Sequence, residues 1–409
     1  MARVLYVSQY FVSGDQPGGV RHWQHCRALA RAGHQVTVVT SYVQHKERTI
    51  PGEYRGRRIV RSTEDGLDVV RTYSTPGYGS DLRSRLANYG TFALWSLIAE
   101  LRLPRPDVVV ASSPSLPAAA IAAGMARARR ARFLLEVRDL WPDSAVEMGL
   151  VTNRRVIGAA RRMEHYCYRR ADHIVALTEG IRDGIVGSGV VPAGRVTLIT
   201  NGVDLDVVPD PTAPASLPVA DDAFVAMFVG AHGTYSSLET VLGAADRLRD
   251  DPHIHLVLVG GGDRKPALMQ RARAMDLPNV TFIDPVPKRQ VPAYLARADV
   301  CLLPYQDRPL FAGALPNKVF DYLAAARPVL ASAPAGELTR LVDTAGCGWN
   351  VPPEDPVAMA DAIRRAAGDP ADARARGAAG RGYALAHYDR AALAQRFVSL
   401  VDALAAAGR

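Results

Sequence analysis

Two glycine-rich segments in the second half of the chain end in a lysine and could bind a phosphate group. The first is Gly260-Gly-Gly-Asp-Arg-Lys265, and the second is Gly313-Ala-Leu-Pro-Asn-Lys318. Glycine lets the backbone approach an anion closely, and the N–H groups that open the following helix favour negative charge. Lys265 and Lys318 are therefore candidates to neutralise a diphosphate, with Arg264 as a third cation. The alternative is a glycine-rich strand end with solvated cations.

An acid follows the second lysine at a helical spacing. Asp321 lies three residues after Lys318, about one turn further along a helix. Its carboxylate could accept hydrogen bonds from both hydroxyls of a ribose. An acid in the first turn of a helix also stabilises the helix dipole, so both interpretations stay open.

The first half offers polar residues directly after apolar runs. In Arg138-Asp-Leu-Trp-Pro142, Asp139 could orient or deprotonate a hydroxyl group beside Arg138. Trp141 could stack on a ligand or pack in the core. Gln9 could turn its amide towards a ligand or be an ordinary solvated loop residue. Gly18 and Gly19 open a helical stretch, where they either approach a diphosphate or only form a turn.

Short apolar runs predict the strands that must position these residues. Residues 3–8 form such a run, a helical stretch reaches residue 32, and residues 35–40 form the next run. This order is a βαβ unit and predicts a parallel sheet. Further strands are predicted at residues 107–111, 132–136, 173–177 and 196–199. The first half is therefore predicted to be a doubly wound α/β domain.

The pattern restarts after residues 204–220, which are rich in Pro, Asp and Ala, lack periodicity and are the predicted linker. We place one Rossmann-like domain at residues 1–205 and a second at 206–387, and we expect a last helix within 388–409 to pack back on the first. In the second domain we predict strands at 223–230, 254–260, 280–283, 299–303 and 328–331, and helices at 238–248 and 319–325.

Composition and charge narrow the class of protein. A length of 409 residues exceeds one typical hydrophobic core. The net charge is +8, and the first 209 residues carry 28 Lys and Arg against 19 Asp and Glu. A basic first domain suits an anionic lipid or acceptor, although an arginine-rich genome gives the same bias. We expect no nucleic acid partner.

Cysteine usage and the N-terminus indicate a reduced compartment. The four cysteines are far apart and form no Cys-x-x-Cys pair, so neither a zinc site nor a disulfide framework is expected. No signal peptide and no long apolar span are recognisable. We therefore expect a cytoplasmic protein, with peripheral contact to the inner face of the membrane as an option.

Taken in order, six motifs resemble the family-four retaining glycosyltransferases, in particular the branch similar to the fucosamine transferases of polysaccharide assembly. The similarity spans nearly the whole chain. The motifs are Gly18-Gly-Val-Arg21, Gly33-His-Gln-Val-Thr37, Pro106-Asp-Val-Val-Val-Ala-Ser-Ser-Pro114, Glu136-Val-Arg-Asp-Leu-Trp-Pro-Asp143, Asn201-Gly-Val-Asp204 and Leu315-Pro-Asn-Lys-Val-Phe-Asp-Tyr-Leu-Ala-Ala-Ala-Arg-Pro-Val329.

The resemblance implies a GT-B fold, in which two facing Rossmann-like domains enclose a cleft. It implies a nucleotide-sugar donor on the second domain, an acceptor on the first, retention at the anomeric carbon and no metal or other cofactor. By the same resemblance, Asn317, Lys318 and Asp321 contact the donor, with Asp321 on the ribose. Gln9, Arg138, Asp139 and Trp141 are our candidates to contact the acceptor on the first domain.

Two positions depart from the family's pattern. The first acid of its Glu-x7-Glu signature falls on Gly313, so the backbone N–H groups of Gly313, Ala314 and Leu315 are left to contact the donor. The family's first basic residue is replaced by Ala231-His-Gly-Thr234, and His232 does not simply replace it. Lys265, Arg264 and Lys318 are then the candidates to neutralise the leaving diphosphate.

The predicted reaction is attack by an acceptor hydroxyl on the anomeric carbon, from the face that the diphosphate leaves. UDP and an N-acetylhexosamine are the leading donor, and a lipid-linked glycan or a small natural product is the acceptor. Two alternatives stay open. A GT-B epimerase or hydrolase needs no acceptor, and a non-catalytic homologue would bind the nucleotide sugar without turnover.

Overall fold

The structure is a computed structural model that describes residues 1–12, 21–43, 50–76, 82–203 and 214–408. By its internal contacts the chain divides into two compact units. Unit 1 comprises Met1–Thr200 and Ala392–Arg409, and unit 2 comprises Asn201–Ala391. In the described ranges, no helix is both long and apolar enough to cross a membrane.

Unit 1 contains an eight-stranded sheet in the order β3-β4-β2-β1-β5-β6-β7-β8. All neighbouring pairs are parallel except β3 with β4. The strands are β1 (Arg3–Val7), β2 (Gln35–Ser41), β3 (Ile59–Glu64), β4 (Leu67–Thr72), β5 (Val108–Ser112), β6 (Arg132–Val137), β7 (His173–Ala176) and β8 (Val196–Leu198).

Helices cover both faces of this sheet. One face packs against α2, α3, α5 and α6 through residues such as Phe92 and Cys167, and the other packs against α1 through Cys26 and Leu29. The helices are α1 (Arg21–Arg31), α2 (Leu82–Leu101), α3 (Leu116–Ala128), α4 (Asp143–Glu147), α5 (Arg154–Arg170) and α6 (Glu179–Gly187). The doubly wound arrangement and its six predicted strands are confirmed.

Strands β3 and β4 were absent from the sequence-based prediction. They form an antiparallel hairpin whose turn residues, Asp65 and Gly66, have φ angles of 50° and 79°. Two consecutive positive φ angles characterise the tight hairpin turn that Asp-Gly favours. The dipeptide, between two short runs rich in β-branched residues, was the available signal.

Unit 2 contains a six-stranded, fully parallel sheet in the order β11-β10-β9-β12-β13-β14. The strands are β9 (Phe224–Val229), β10 (Ile254–Val259), β11 (Val280–Ile283), β12 (Val300–Pro304), β13 (Val329–Ser332) and β14 (Gly348–Val351). The five strands predicted here are confirmed within two residues at each end, and β14 was not predicted.

The helices of unit 2 also lie on both faces, with α11 and α12 on one and α7, α8 and α13 on the other. They are α7 (Leu238–Arg247), α8 (Lys265–Ala274), α9 (Val291–Leu295), α10 (Pro309–Ala312), α11 (Asn317–Ala324), α12 (Glu337–Ala345), α13 (Pro356–Gly368) and α14 (Pro370–His387).

The last helix, α15 (Arg390–Ala407), contributes to the core of unit 1. Its residues Leu393, Phe397, Val398 and Val401 are buried against the same face of the sheet as α1. Arg396 donates a hydrogen bond to the carbonyl of Leu198 at 3.0 Å. Unit 1 is thus built from two separate stretches of the chain.

Candidate functional site

In unit 2, β9 and β12 are neighbours, but the chain leaves them towards helices on opposite faces of the sheet. Such a switch point opens a crevice at the carboxyl ends of parallel strands, where ligands bind in this class of fold. The loop after β9, the glycines after β10 and the start of α11 all lie at this edge. The predicted donor residues in these segments follow the carboxyl ends of their strands.

Lys318 is held at the crevice by its helix. Four residues further along α11, the hydroxyl of Tyr322 accepts a hydrogen bond from the N–H of Val229 at 3.0 Å and lies 3.3 Å from the carbonyl of Val229. This contact fixes α11 against the end of β9. The ammonium of Lys318 then lies 4.0 Å from the centre of the Phe228 ring, which is within cation–π distance.

Apart from this ring contact, the Lys318 ammonium makes no hydrogen bond and no ion pair with any of the described residues. Burial lowers its pKa to about 7, because an apolar environment disfavours the charged form. Lys318 is half-buried; partial removal of a cation from water without an acid nearby is costly, and an anionic ligand would remove that cost. A Cβ on Gly230 would come within 3.0 Å of Nζ, so glycine at this position leaves room for the ammonium.

Lys265, predicted to neutralise the diphosphate, is already fully hydrogen bonded. Its ammonium donates to the carbonyls of Gly260 and Ile283, both at 2.9 Å, and to Asp284 Oδ1 at 2.8 Å. An ammonium has only three N–H donors, so none remains for a ligand. The structure therefore argues against a direct diphosphate contact and gives Lys265 the task of joining the ends of β10 and β11.

The other predicted cation, Arg264, is also paired. It donates to Glu239 Oε1 at 2.6 Å on the surface. His232, at the position of the missing family cation, is fully buried, and both of its ring nitrogens lack a hydrogen-bond partner in the described part of the chain. Burial and the charges of Lys265 and Lys318 lower its pKa to about 4. His232 is therefore neutral near pH 7.

The loop from α10 to α11 differs in part from the prediction. The N–H of Ala314 donates to the carbonyl of Phe311 at 3.2 Å, so it is not the free donor that we expected between Gly313 and Leu315. Helix α11 begins at Asn317, two residues earlier than predicted. Lys318 thus lies in the first turn, where the first N–H groups of a helix have no intrahelical partner.

Asp321 lies at the rim of the same crevice, half-buried. Its Oδ1 is 3.9 Å from Nζ of Lys288, a loose ion pair. Lys288 follows β11 and was not among the predicted residues. The side chain of Asn317 accepts a hydrogen bond from Asn201 Nδ2 at 2.5 Å.

Three aromatic side chains border the crevice and were also missed. The ring of Phe311 lies 5.1 Å from that of Tyr305 and 6.1 Å from that of Tyr235. Tyr235 follows β9, and the other two follow β12. In the sequence, these rings are marked by aromatic residues that follow the two strands of the switch point, whereas charges and glycines after strands mark the predicted residues.

In unit 1 the corresponding switch point lies between β1 and β5, and a buried carboxylate is found beside it. Glu136 on β6 is fully buried and accepts a hydrogen bond from Arg21 Nε at 2.7 Å. Burial alone would raise the pKa of Glu136, but Arg21 and His22 hold it well below its usual value. Glu136 and Arg21 stood in the family motifs, yet the sequence assigned them no role.

His22 connects this carboxylate to Arg138. Arg138 Nη1 lies 2.8 Å from His22 Nε2, and an arginine can only donate. His22 must therefore accept at Nε2 and carry its proton on Nδ1, which lies 2.8 Å from the hydroxyl of Tyr6. Tyr6 in turn donates to Glu136 Oε2 at 3.1 Å. Burial and the charge of Arg138 lower the pKa of His22, in agreement with the neutral ring.

Arg138 is held in place by this series of hydrogen bonds and by its backbone N–H, which donates to Ser113 Oγ at 2.9 Å. Its Nε is buried and has no hydrogen-bond partner among the described residues. The neighbouring Asp139 accepts a hydrogen bond from Ser144 Oγ at 2.9 Å. Burial raises the pKa of Asp139, which moves this carboxyl towards the range of a proton acceptor. Trp141 is half-buried two residues later.

Gln9 is buried rather than solvated, with 3% of its surface exposed. Its amide nitrogen donates to Asn88 Oδ1 at 2.6 Å, whereas its Oε1 has no partner in the part of the chain that the structure describes. The alternative of a solvated loop residue is therefore wrong. Gly18 and Gly19 lie outside the described residues.

The family comparisons agree with this two-unit architecture. The domain family described as "Glycosyl transferase 4-like domain" matches residues 18–202, and "Glycosyl transferases group 1" matches residues 223–369. The chain belongs to the family 4-like glycosyltransferases. Its general activity is the transfer of a sugar.

Individual proteins show the same likeness. One relative is WcaI of Escherichia coli (strain K12), named as a colanic acid biosynthesis glycosyl transferase. It is 28% identical to this chain over 369 residues, which cover 86% of this chain and 88% of WcaI. Sucrose-phosphate synthase from Thermosynechococcus elongatus matches with a TM-score of 0.75 and 22% identity over 100% of both chains. Anabaena HepE, solved with UDP-glucose, matches with a TM-score of 0.70 and 15% identity over 98% of this chain and 100% of HepE. The fold of this glycosyltransferase is GT-B.

Proposed function

We propose that this glycosyltransferase transfers a sugar from a UDP-sugar, with N-acetylhexosamine as the leading sugar, to a hydroxyl of a lipid-linked glycan or a small natural product. The observation that carries the proposal is the half-buried Lys318 ammonium, which has no acid partner in the described chain and lies at the start of a helix. A diphosphate supplies the missing negative charge. The complex of HepE with UDP-glucose supports the choice of nucleotide.

The donor would lie along the switch point of unit 2. Lys318 and the first N–H groups of α11 bind the diphosphate, and the half-buried carboxylate of Asp321 accepts hydrogen bonds from the ribose. Lys265 acts indirectly, because its three hydrogen bonds hold the glycine loop after β10 in place. Negative charge that develops on the leaving diphosphate is stabilised by Lys318.

The acceptor would bind to unit 1. Arg138 and Gln9 each present a buried polar atom without a hydrogen-bond partner in the described residues, namely Nε and Oε1, and such atoms are suited to bind sugar hydroxyls. Asp139 orients or deprotonates the attacking hydroxyl, and Trp141 stacks against the acceptor. The hydroxyl attacks the face that the diphosphate leaves, so the configuration is retained, and the leaving phosphate can take the proton. We propose that neither a metal nor another cofactor takes part.

The same proposal includes where the protein works. A lipid-linked acceptor places the enzyme in the cytoplasm with peripheral contact to the inner face of the membrane, in which the basic first domain takes part. The motifs shared with the fucosamine transferase branch and the name of WcaI, which refers to colanic acid biosynthesis, support a glycan product.

A thermal-shift panel tests the donor site. We expect UDP, rather than GDP, dTDP or ADP, to raise the unfolding midpoint with or without magnesium, because a ligand that binds only the native state stabilises it. Asp321→Ala should lose most of this shift, whereas Asp343→Ala, an acid on another helix of unit 2, should keep it. A shift by none of the nucleotides would refute the proposed donor site.

Product analysis then separates transfer from the alternatives. Incubation with a UDP-sugar and no acceptor releases little free sugar from a transferase, whereas a hydrolase releases it and an epimerase isomerises the donor. Turnover that depends on an added acceptor and yields the retained anomer supports the proposal. Binding of UDP without turnover on any acceptor would favour a non-catalytic homologue.

A further inference from the structure

The outward face of α2 is predominantly apolar from Leu86 to Leu101. Leu86, Leu94 and Leu101 are 43%, 53% and 60% exposed. They are eight and seven residues apart, so they share one side of the helix and span about 22 Å. The opposite side of α2 is buried in the core of unit 1 through residues such as Phe92 and Ala93.

No charged side chain interrupts this leucine face. The other residues between Leu86 and Leu101 that are at least partly exposed are Ala87, Gly90, Thr91, Trp95, Leu97 and Ile98, of which only Thr91 is polar. The one acid of α2, Glu100, is fully buried, and burial raises its pKa to about 8. Near pH 7 Glu100 is therefore neutral and adds no negative charge beneath the leucine face.

Arginines lie at both ends of the leucine face. Arg83 precedes it, and Arg102 and Arg105 follow it. At the same end, Arg105 Nη2 donates to the carbonyl of Arg130 at 3.3 Å, and Arg129 Nη2 donates to the carbonyl of Leu101 at 3.0 Å. These bonds connect the end of α2 to the arginine-rich end of α3.

Near the end of α3, three arginines have no acidic partner among the described residues. Arg127, Arg130 and Arg170 line a cavity of about 340 Å³ next to the end of α3, and none of the three makes an ion pair with a described residue. The one acid in the lining, Asp172, is already bound by Arg132 Nη1 at 2.7 Å and by the N–H of Phe133 at 2.8 Å. The cavity is thus strongly positive.

We infer that the leucine face of α2 and the arginines at its ends form a docking surface for an anionic lipid bilayer. Exposed leucines enter the headgroup boundary, and arginines bind lipid phosphates, as in interfacial helices. A second copy of the chain is a poorer occupant, because symmetric pairing of α2 would bring arginines of like charge together. The inference rests on the proposed function in one respect: this surface would make the peripheral membrane contact that the proposed function includes.

Vesicle flotation tests the docking surface. The full chain should float with vesicles of equal parts phosphatidylglycerol and phosphatidylcholine at about 0.1 M salt, and much less at about 1 M salt or with pure phosphatidylcholine. Leu94→Ser with Leu101→Ser should lower the partition coefficient at least tenfold. Arg102→Gln with Arg105→Gln should lower it and flatten its salt dependence. Leu385→Ser is the matched control, since Leu385 is also 43% exposed but lies in unit 2.

The outcomes are separable from those of sugar transfer. The UDP thermal shift of each variant shows that it is folded, and this shift should match that of the wild type. Absence of flotation by the wild type, equal loss in Leu385→Ser, or normal flotation of the leucine variant would overturn the inference and leave the donor site untouched. A concentration-dependent dimer that the leucine variant abolishes would assign the surface to a second copy instead.

Discussion

Replacing Lys318 tests whether its ammonium, which has no acid partner among the described residues, binds the diphosphate of the donor. In the free protein its pKa is about 7, against an ordinary value of 10.5. A bound diphosphate favours the ammonium, so binding above pH 7 requires uptake of a proton. Between pH 7 and about pH 9 the protonated fraction falls from about one half to about one hundredth, and UDP affinity should fall about 50-fold, or about 2.3 kcal/mol.

Two variants frame this expectation. Lys318→Arg keeps its charge throughout this range, so its UDP affinity should be nearly independent of pH, even if the larger head binds less tightly. Lys318→Met has no charge and should bind UDP about 10- to 100-fold more weakly at pH 7, as expected for the loss of a charge-assisted hydrogen bond.

Stability should move in the opposite direction to binding. At pH 7 to 10 the unfolded chain holds the lysine proton that the folded protein partly or wholly loses, so stability rises with pH in this window. The difference between about 7 and 10.5 puts the cost of Lys318 at about 4 kcal/mol at pH 7 as an upper limit. Lys318→Met should therefore be more stable than the wild type, by at least about 1 kcal/mol after loss of the cation–π contact.

Isothermal titration calorimetry with UDP measures the affinity at each pH. Repeating the titration in buffers with different ionisation heats gives the number of protons taken up on binding. The pKa of the nearby His232, about 4, keeps this ring neutral across the range. Equal pH dependence in the wild type and Lys318→Met would refute the reasoning, as would a wild type whose UDP affinity does not change from pH 7 to 9.

Three further substitutions separate structural from chemical tasks. Lys265→Met should lower the free energy of unfolding by about 1–3 kcal/mol in urea titrations, because two carbonyls lose their buried donor. A loss of UDP affinity without loss of stability would instead indicate that Lys265 binds the diphosphate directly. Glu136→Gln should cost about 3 kcal/mol or more, since Arg21 is left buried without its carboxylate, and a smaller cost would show that the amide replaces it. Asp139→Asn should lower kcat at least about 100-fold while UDP affinity stays constant; an unchanged kcat would remove Asp139 from the reaction.

The fold followed from the sequence because its strands are buried on both sides. Runs such as residues 254–260 are apolar at nearly every position, which helices and half-exposed strands rarely are. The β3–β4 hairpin was missed because its strands mix apolar residues with charged ones such as Arg61, Glu64 and Asp68 and form no continuous apolar run. Its Asp65-Gly66 turn was the stronger signal.

The candidate site could be predicted only in part. Lys265 and Lys318 follow strands in similar segments, yet one is fully hydrogen bonded and the other lies over an aromatic ring. What separates them is the position of the carbonyls of Gly260 and Ile283, which depends on how two strands end side by side. Glu136 was equally hidden, because its partners Arg21 and Tyr6 lie more than 100 residues away.

The two-piece construction of unit 1 decides how its acceptor chemistry can be studied in isolation. A fragment that stops at Thr200 would leave Cys26, Leu29 and their neighbours without the cover of Phe397 and Val401, and we expect it to aggregate. Limited proteolysis near residue 391 should likewise release a peptide only under denaturing conditions, because the severed helix stays bound. Separate expression of the two pieces, by contrast, offers a route to a reconstituted acceptor domain.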